Sequence, residues 1–290
     1  MFFSAPSAKI SGFMRFGIST HLYHDQRLSR EHLAEIASYG FTAVELFATR
    51  SHFDYHDPAA IDALRRWLGE TGLTLHGIHA PITDRLTPPD RWGEVISNAV
   101  PDNAKRQAAV READAALNIA RAIPTGVLVV HLGTPTAQGG ENNRTAAFRS
   151  AEEICRIAAP IGIRVALEVI PNDLSDPQSL VSLIERDLDA PHAGICLDFG
   201  HAFLMGDVAD AVEVVAEHLI ATHVHDNKRQ ADDHLVPFEG RIDWDVALMS
   251  MQKVGYDGTY MMEVRNTSDP ATVLGRARDV RARFEKLLAY

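Results

Sequence analysis

Short, nearly continuous apolar runs alternate along this chain with longer amphipathic stretches, and glycine marks many of the returns. RFGIS at residues 15–19 precedes helical periodicity over 28–39, with Ser29 placed to cap that helix and Gly40 to stop it. AVELF (43–47) precedes a helix predicted from Pro58 to residue 70, and LTLHGIH, ending at His79, precedes a long helix over 102–123. GVLVVHL (126–132) leads to a helix over 143–159, and VALEVI (165–170) to one starting near Pro177. GICLDFG (194–200), ATHVHD (221–226) and TYMMEV (259–264) complete the strands, with helices expected over 208–219, 244–253 and 271–288. Runs this apolar suit strands covered on both faces, as parallel strands under helices are. Eight such units predict the α/β class and a single closed (β/α)8 TIM barrel over residues 15–290, with 1–14 a loose tail. An open sheet is the alternative, but no glycine-rich dinucleotide fingerprint follows the first strand, so no nucleotide cofactor is expected.

One segment departs from the repeat. Residues 81–100 carry Pro88-Pro89 and two arginines and have no periodicity, which predicts an irregular active-site loop. Lys and Arg number 28 against 39 Asp and Glu, and the formal charge of -11 opposes nonspecific attraction to nucleic acid. Cys155 and Cys196 lack metal-motif spacing and read as reduced, inert thiols. The first residues lack a secretory pattern and no segment approaches a membrane span, so a cytoplasmic enzyme without a membrane partner is the expectation.

Candidate chemistry lies where the apolar runs end. Glu45, His79, His131, Glu168, Asp198, His223 and Glu263 recur near the same end of successive units, and in a barrel those ends share one mouth. Buried carboxylates are costly unless paired or coordinated, so several facing one point with imidazoles suggest a shared divalent cation. The nitrogen and oxygen donors favour manganese, zinc or cobalt over magnesium or calcium. Glu168, Asp198, His223 and Glu263 are the expected ligands. His201, three residues beyond Asp198, is read as a metal or substrate contact. His225 alternates with His223 and is expected to hydrogen-bond behind the ligands, and Asp226 to orient a neighbouring group or loop. Asp232 and His234 form a D-x-H pair that reads either as a solvated loop or as a further cation or substrate site; His79 and His131 carry the same ambiguity. Lys228 and Arg229 are solvated loop charges or clamps on a polar substrate, and Gly240 and Trp244 are expected to shape and cover the pocket. Phe47, Phe199, Phe203, Phe238 and Trp244 supply an apolar pocket wall or ordinary core.

At CLDFGHAFLMGD, HVHDNKRQADDH, EGRIDW and DGTYMMEV the chain resembles the xylose isomerase-like TIM-barrel superfamily, through essentially the whole barrel. That group holds sugar isomerases, ketose 3-epimerases, inositol-catabolism enzymes and endonuclease-IV-type apurinic/apyrimidinic nucleases. Resemblance to the epimerase branch implies a cation on Glu168, Asp198, His223 and Glu263, His201 and Arg229 near substrate oxygens, and the two glutamates as alternating base and acid. Resemblance to the nuclease branch implies a three-zinc cluster drawn from His79, His131, Glu168, Asp198, His201, His223, Asp232, His234 and Glu263. LEVIPND departs from the turn those nucleases carry after the fifth strand, and the net charge disfavours a DNA partner. The favoured expectation is therefore a metal-dependent isomerase or epimerase of a small sugar or polyol carbonyl compound working through an enediolate. The alternatives are an abasic-site phosphodiesterase, a sugar-derivative lyase or dehydratase, and a non-catalytic sugar-binding barrel. A homodimer or homotetramer is expected from the resemblance alone.

Overall fold

Along each apolar run the side chains alternate between two environments. On the fifth strand Val165 and Leu167 pack outward against helices, whereas Ala166 and Glu168 point to the barrel axis, all buried. The computed structural model describes residues 14–87, 91–139, 141–266 and 269–288. The predicted tail over 1–14, apart from Met14, and the Pro88-Pro89 pair lie outside the described residues.

The strands are β1 (Arg15–Ser19), β2 (Ala43–Phe47), β3 (Thr74–His79), β4 (Val127–Val130), β5 (Arg164–Glu168), β6 (Ala193–Asp198), β7 (Leu219–Val224) and β8 (Thr259–Met262). Each pairs in parallel with its sequence neighbours, and β8 pairs with β1, which closes the expected eight-stranded barrel. The helices are α1 (Arg30–Ser38), α2 (Pro58–Thr71), α3 (Asn103–Ala122), α4 (Arg144–Ala158), α5 (Pro177–Ser182), α6 (Phe199–Met205), α7 (Val208–Val215), α8 (Trp244–Lys253) and α9 (Pro270–Leu287). Asp57, Asp102, Asn143, Asp176, Asp198, Asp207, Asp243 and Asp269 each accept a main-chain N–H at a helix start, satisfying donors the helix leaves open.

Two apolar layers result. The outer one joins strand residues such as Ile18, Leu46, Leu128 and Leu197 to the helices; the inner one is made of small groups, Val127, Val129, Ala166, Cys196 and Ala221. Gly17 belongs to this crowded interior, because a Cβ there would lie 2.5 Å from the Met261 terminal methyl. Both cysteines are buried free thiols, as expected, and burial raises the thiol of Cys155 to about 12 and that of Cys196 further.

Several predicted boundaries move. β4 stops at Val130, β7 at Val224 and β8 at Met262, so His131, His225, Asp226 and Glu263 follow the strands instead of ending them. α6 was not expected: the chain turns into a helix directly after Asp198, so Phe199 and Gly200 leave the predicted strand and His201 sits in a first helical turn, not a loop. α7 ends at Val215 and a short 3-10 turn leads to β7. The loop at 81–100 contains a two-stranded antiparallel ribbon, Leu86–Thr87 with Arg91–Trp92. Among the described residues no helix is long and apolar enough to cross a membrane.

Candidate metal centre

Ionisable side chains gather at the C-terminal ends of the strands and just beyond them. Asp198 on β6 lies level with His223 on β7, and Phe47 on β2 with His79 on β3. Glu45, His79, Glu168, Asp198, His201, His223, His225 and Glu263 are all buried, at 0–3% exposure, so water cannot pay for their charges and they must satisfy one another.

Glu168 is the hub. One oxygen, Oε2, faces His131 Nε2 at 3.0 Å and His79 Nε2 at 3.3 Å; the other, Oε1, faces His223 Nδ1 at 3.0 Å and His201 Nδ1 at 3.6 Å. Burial pushes Glu168 up, but His223 and His131 outweigh it and hold the carboxyl well below the usual range. His223 shows the reverse balance: burial pulls it down, and Cys196, Glu263, Glu45 and Glu168 together raise it well above an ordinary imidazole. Glu263 reaches His223 Nδ1 at 3.4 Å with Oε2, while its buried Oε1 has no hydrogen-bond partner.

Four donor sets converge here, each with one ligand atom per residue and all atoms within 4.8 Å of one another: Glu168, Asp198, His223 and Glu263; His79, His131 and Glu168; His79, His223 and Glu263; and His201, His225, Asp232 and His234. The expected ligand quartet is the first. His225 was expected behind the ligands. It does donate Nε2–H to Asp198 at 3.0 Å, and it also stands among the donors of the last set, with Nδ1 buried and unpartnered. Gly200 makes this possible, since a Cβ there would overlap the His225 ring at 2.0 Å.

Asp232 draws the last set together, with Oδ2 3.1 Å from His201 Nε2 and 3.2 Å from His234 Nε2. Burial pulls His234 down, but Asp232 outweighs it and raises the imidazole to about 9. The D-x-H pair thus joins the converging cluster, with Asp232 itself at the exposed edge of it. Its loop carries the described residues with positive φ other than glycine, Arg229 (66°), His234 (46°) and Phe238 (75°). Such backbone strain is held only where surrounding contacts overdetermine it. Asp226 supplies many of those contacts, accepting from the main-chain N–H of Asn227, Phe238, Arg241 and Ile242 and from Trp244 Nε1 at 2.8–3.1 Å. Asp226 thereby ties the loop together, and Gly240 gives it room because a Cβ would meet Asp226 Oδ1 at 2.2 Å.

Other residues fall away from the centre. Trp244 does not cover a pocket: it is buried beside Phe199 and Phe284. Phe238 packs on Trp244 and Phe284, whereas Phe47 touches the cluster, its ring centroid 5.0 Å from that of His79. Arg229 donates to the Gly206 carbonyl at 2.9 Å and stacks over Phe203, and Lys228 is exposed. The loop at 81–100 lines a cavity of about 520 Å³ with Arg50, Lys105, Glu112 and Thr134, and none of the converging residues lines it. Sequence reasoning missed His21, whose buried ring lies 4.9 Å from those of His234 and Phe47. Its position two residues past the end of β1 was the available signal.

Comparisons with known proteins agree with this architecture. The profile of the family described as "Xylose isomerase-like TIM barrel" matches residues 33–285. An uncharacterised protein of Methanocaldococcus jannaschii is 28% identical over 270 residues, covering 88% of this chain and 85% of its own. L-ribulose-5-phosphate 3-epimerase of Escherichia coli is 28% identical over 155 residues, 51% of this chain and 54% of that enzyme. Among solved structures, a D-tagatose 3-epimerase-like protein superposes with a TM-score of 0.78 at 26% identity, covering 95% of this chain and 98% of its own.

Proposed function

Since the chain belongs to the xylose isomerase-like TIM-barrel family, we propose that it is a divalent-metal-dependent isomerase or epimerase of a sugar or polyol carbonyl compound. The observation that carries this reading is the meeting of Glu168 and Glu263, from β5 and the end of β8, in one buried set with Asp198 and His223. The set fits a cation: its carboxylates are acceptor-only, and Glu263 holds a buried oxygen for which the protein offers no donor. Glu168, Asp198, His223 and Glu263 would hold the ion, with manganese, zinc or cobalt suited to this mixture of oxygen and nitrogen. Bound there, it would polarise adjacent carbonyl and hydroxyl oxygens of the substrate and acidify the C–H between them.

The protein's own part is proton transfer. One glutamate takes the proton from the reacting carbon and the other returns one, and their origin at the end of β5 and just beyond β8 gives each a different approach to the substrate. Return to the opposite face of the same carbon is epimerisation; return to the neighbouring carbon, with hydroxyl proton transfer, is aldose–ketose isomerisation. The likeness to a D-tagatose 3-epimerase-like protein and to L-ribulose-5-phosphate 3-epimerase supports the first. In this reading His201 would contact substrate oxygens by exchanging its present partner Asp232 for them, and Phe47 would bound the pocket on its apolar side. The test is solvent deuterium incorporation, followed by proton NMR, across free and phosphorylated ketoses with the manganese-, zinc- and cobalt-loaded protein. Exchange at the carbon beside the carbonyl is expected; a loaded protein that exchanges none of them sinks the reading.

A second reading rests on two of the three further donor sets, His79, His131 and Glu168, and His201, His225, Asp232 and His234. Three cations so placed suit phosphodiester hydrolysis at an abasic site. Metal stoichiometry separates the readings: about three tightly held zinc ions per chain, with cleavage of abasic-site DNA, would favour the nuclease.

A further inference from the structure

We infer that Glu45 fixes the tautomer of His223, holding its Nε2–H so that Nδ1 is the nitrogen presented to the cation. This rests on the reading of His223 as a metal ligand, and goes beyond it to a carboxylate that belongs to none of the converging donor sets.

The two His223 nitrogens look in opposite directions. Nδ1 faces Glu168 at 3.0 Å, Glu263 at 3.4 Å and Asp198 at 3.9 Å, the other members of the proposed quartet. Nε2 faces away, into both Glu45 oxygens at 3.1 and 3.2 Å. Both side chains are buried, at 2% exposure for Glu45 and 0% for His223. Glu45 reaches this position from β2, across the barrel from β7, at a register shift between Val44 and Glu45.

Three other imidazoles of the cluster are backed by main-chain carbonyls. His79 Nδ1 faces the Ala80 carbonyl at 2.8 Å, His201 Nδ1 the Val169 carbonyl at 3.1 Å and His234 Nδ1 the Glu263 carbonyl at 2.8 Å. A neutral carbonyl orients a ring; a carboxylate also makes the opposite nitrogen a stronger donor to a metal. His223 thus has a carboxylate behind it, which those three lack, at the position where the quartet needs a neutral nitrogen ligand. Glu45 acts as a positioning residue and touches neither cation nor substrate.

The test is zinc-loaded protein carrying 15N-labelled histidine, with the His223 signals assigned by their loss in His223→Asn. Long-range proton–nitrogen correlation is expected to place the proton on Nε2 and the metal-shifted resonance on Nδ1. The opposite tautomer overturns the inference without any change at Glu45. Glu45→Gln retains an acceptor and is expected to keep the tautomer, whereas Glu45→Leu is expected to weaken zinc binding about tenfold to a hundredfold in a chelator competition. A folded Glu45→Leu protein that binds zinc within about twofold of the parent, where outer hydrogen-bond partners ordinarily matter far more, also overturns it. If zinc does not reach His223 in the parent protein, the metal reading fails and this inference with it; if zinc binds there without sugar turnover, only the proposed reaction fails.

Discussion

The two ends of the barrel solve opposite problems with the same eight strands. At the C-terminal ends, carboxylates and imidazoles are buried together, and His201, His223 and His234 are driven toward the charged form by acidic neighbours that outweigh burial. Below them the interior is small and apolar, and at the N-terminal ends Arg15, His76 and Arg164 line a cavity of about 360 Å³. There burial wins, and the His76 pKa falls. Opposite shifts also occur within the mouth itself, where burial outweighs the neighbours of His131 and His21 and lowers both, so an imidazole there is raised only where several carboxylates face it together. Stability is carried by the floor and the outer layer; the mouth holds charges whose balance a cation can take over.

Replacing Glu168 with Gln should break this contrast most severely. The hub carboxylate disappears, and solvent deuterium exchange into a turned-over ketose should fall about a thousandfold or more, about 4 kcal/mol of transition-state stabilisation. Retention of a tenth of the activity would remove Glu168 from the chemistry.

Alkaline titration should have the next largest effect. His234, raised to about 9 when folded against 6.5 as its ordinary value, adds stability that is fully present below pH 6.5 and lost as pH rises through 9. The difference is worth about 3 kcal/mol in the cation-free protein. Denaturant melts at a series of pH values should show this loss in the parent chain and flatten it in His234→Asn. Chelated protein with equal slopes in both would contradict the assignment.

A change at the floor should behave differently. Val129→Ala deletes buried methyl groups in the inner layer and should cost about 2 kcal/mol in urea melts, while zinc affinity stays unchanged. Coupled loss of metal binding would mean that the two ends are not independent. Smallest of all, Arg164→Ala should shift stability by less than about 0.5 kcal/mol and leave exchange rates intact, because that side chain is exposed and far from the mouth.

Much of the barrel was legible because the strand signal, a short run apolar on both faces, is local, and the glycines and capping acids that punctuate it are local too. The convergence of Glu168, Asp198, His223 and Glu263 was legible for a related reason: Glu168 and Asp198 interrupt apolar runs at the alternation that faces the axis. Strand ends were less legible. His131, His225 and Glu263 continue an apolar pattern past the point where the ladder stops, and where it stops depends on neighbouring strands. α6 escaped notice although Asp198 stood three residues before His201, the spacing of a helix cap, because strand and helix meet there without a loop. Trp244 was misplaced because loop aromatics were read as pocket walls, whereas its N–H is tied to Asp226 beneath the loop. The role of Glu45 was not legible at all, since its partner lies 178 positions away and across the barrel.

Glu168 divides its two oxygens between different groups of histidines, one toward His79 and His131 and the other toward His223 and His201. A carboxylate shared in this way makes neighbouring sites thermodynamically linked: charge drawn to one oxygen leaves less for the other, while the geometry fixed by the first ion is inherited by the second. Titration with a divalent ion should accordingly depart from a sum of independent hyperbolas, and the ratio of successive affinities would report how strongly one side chain sets the terms for its neighbours.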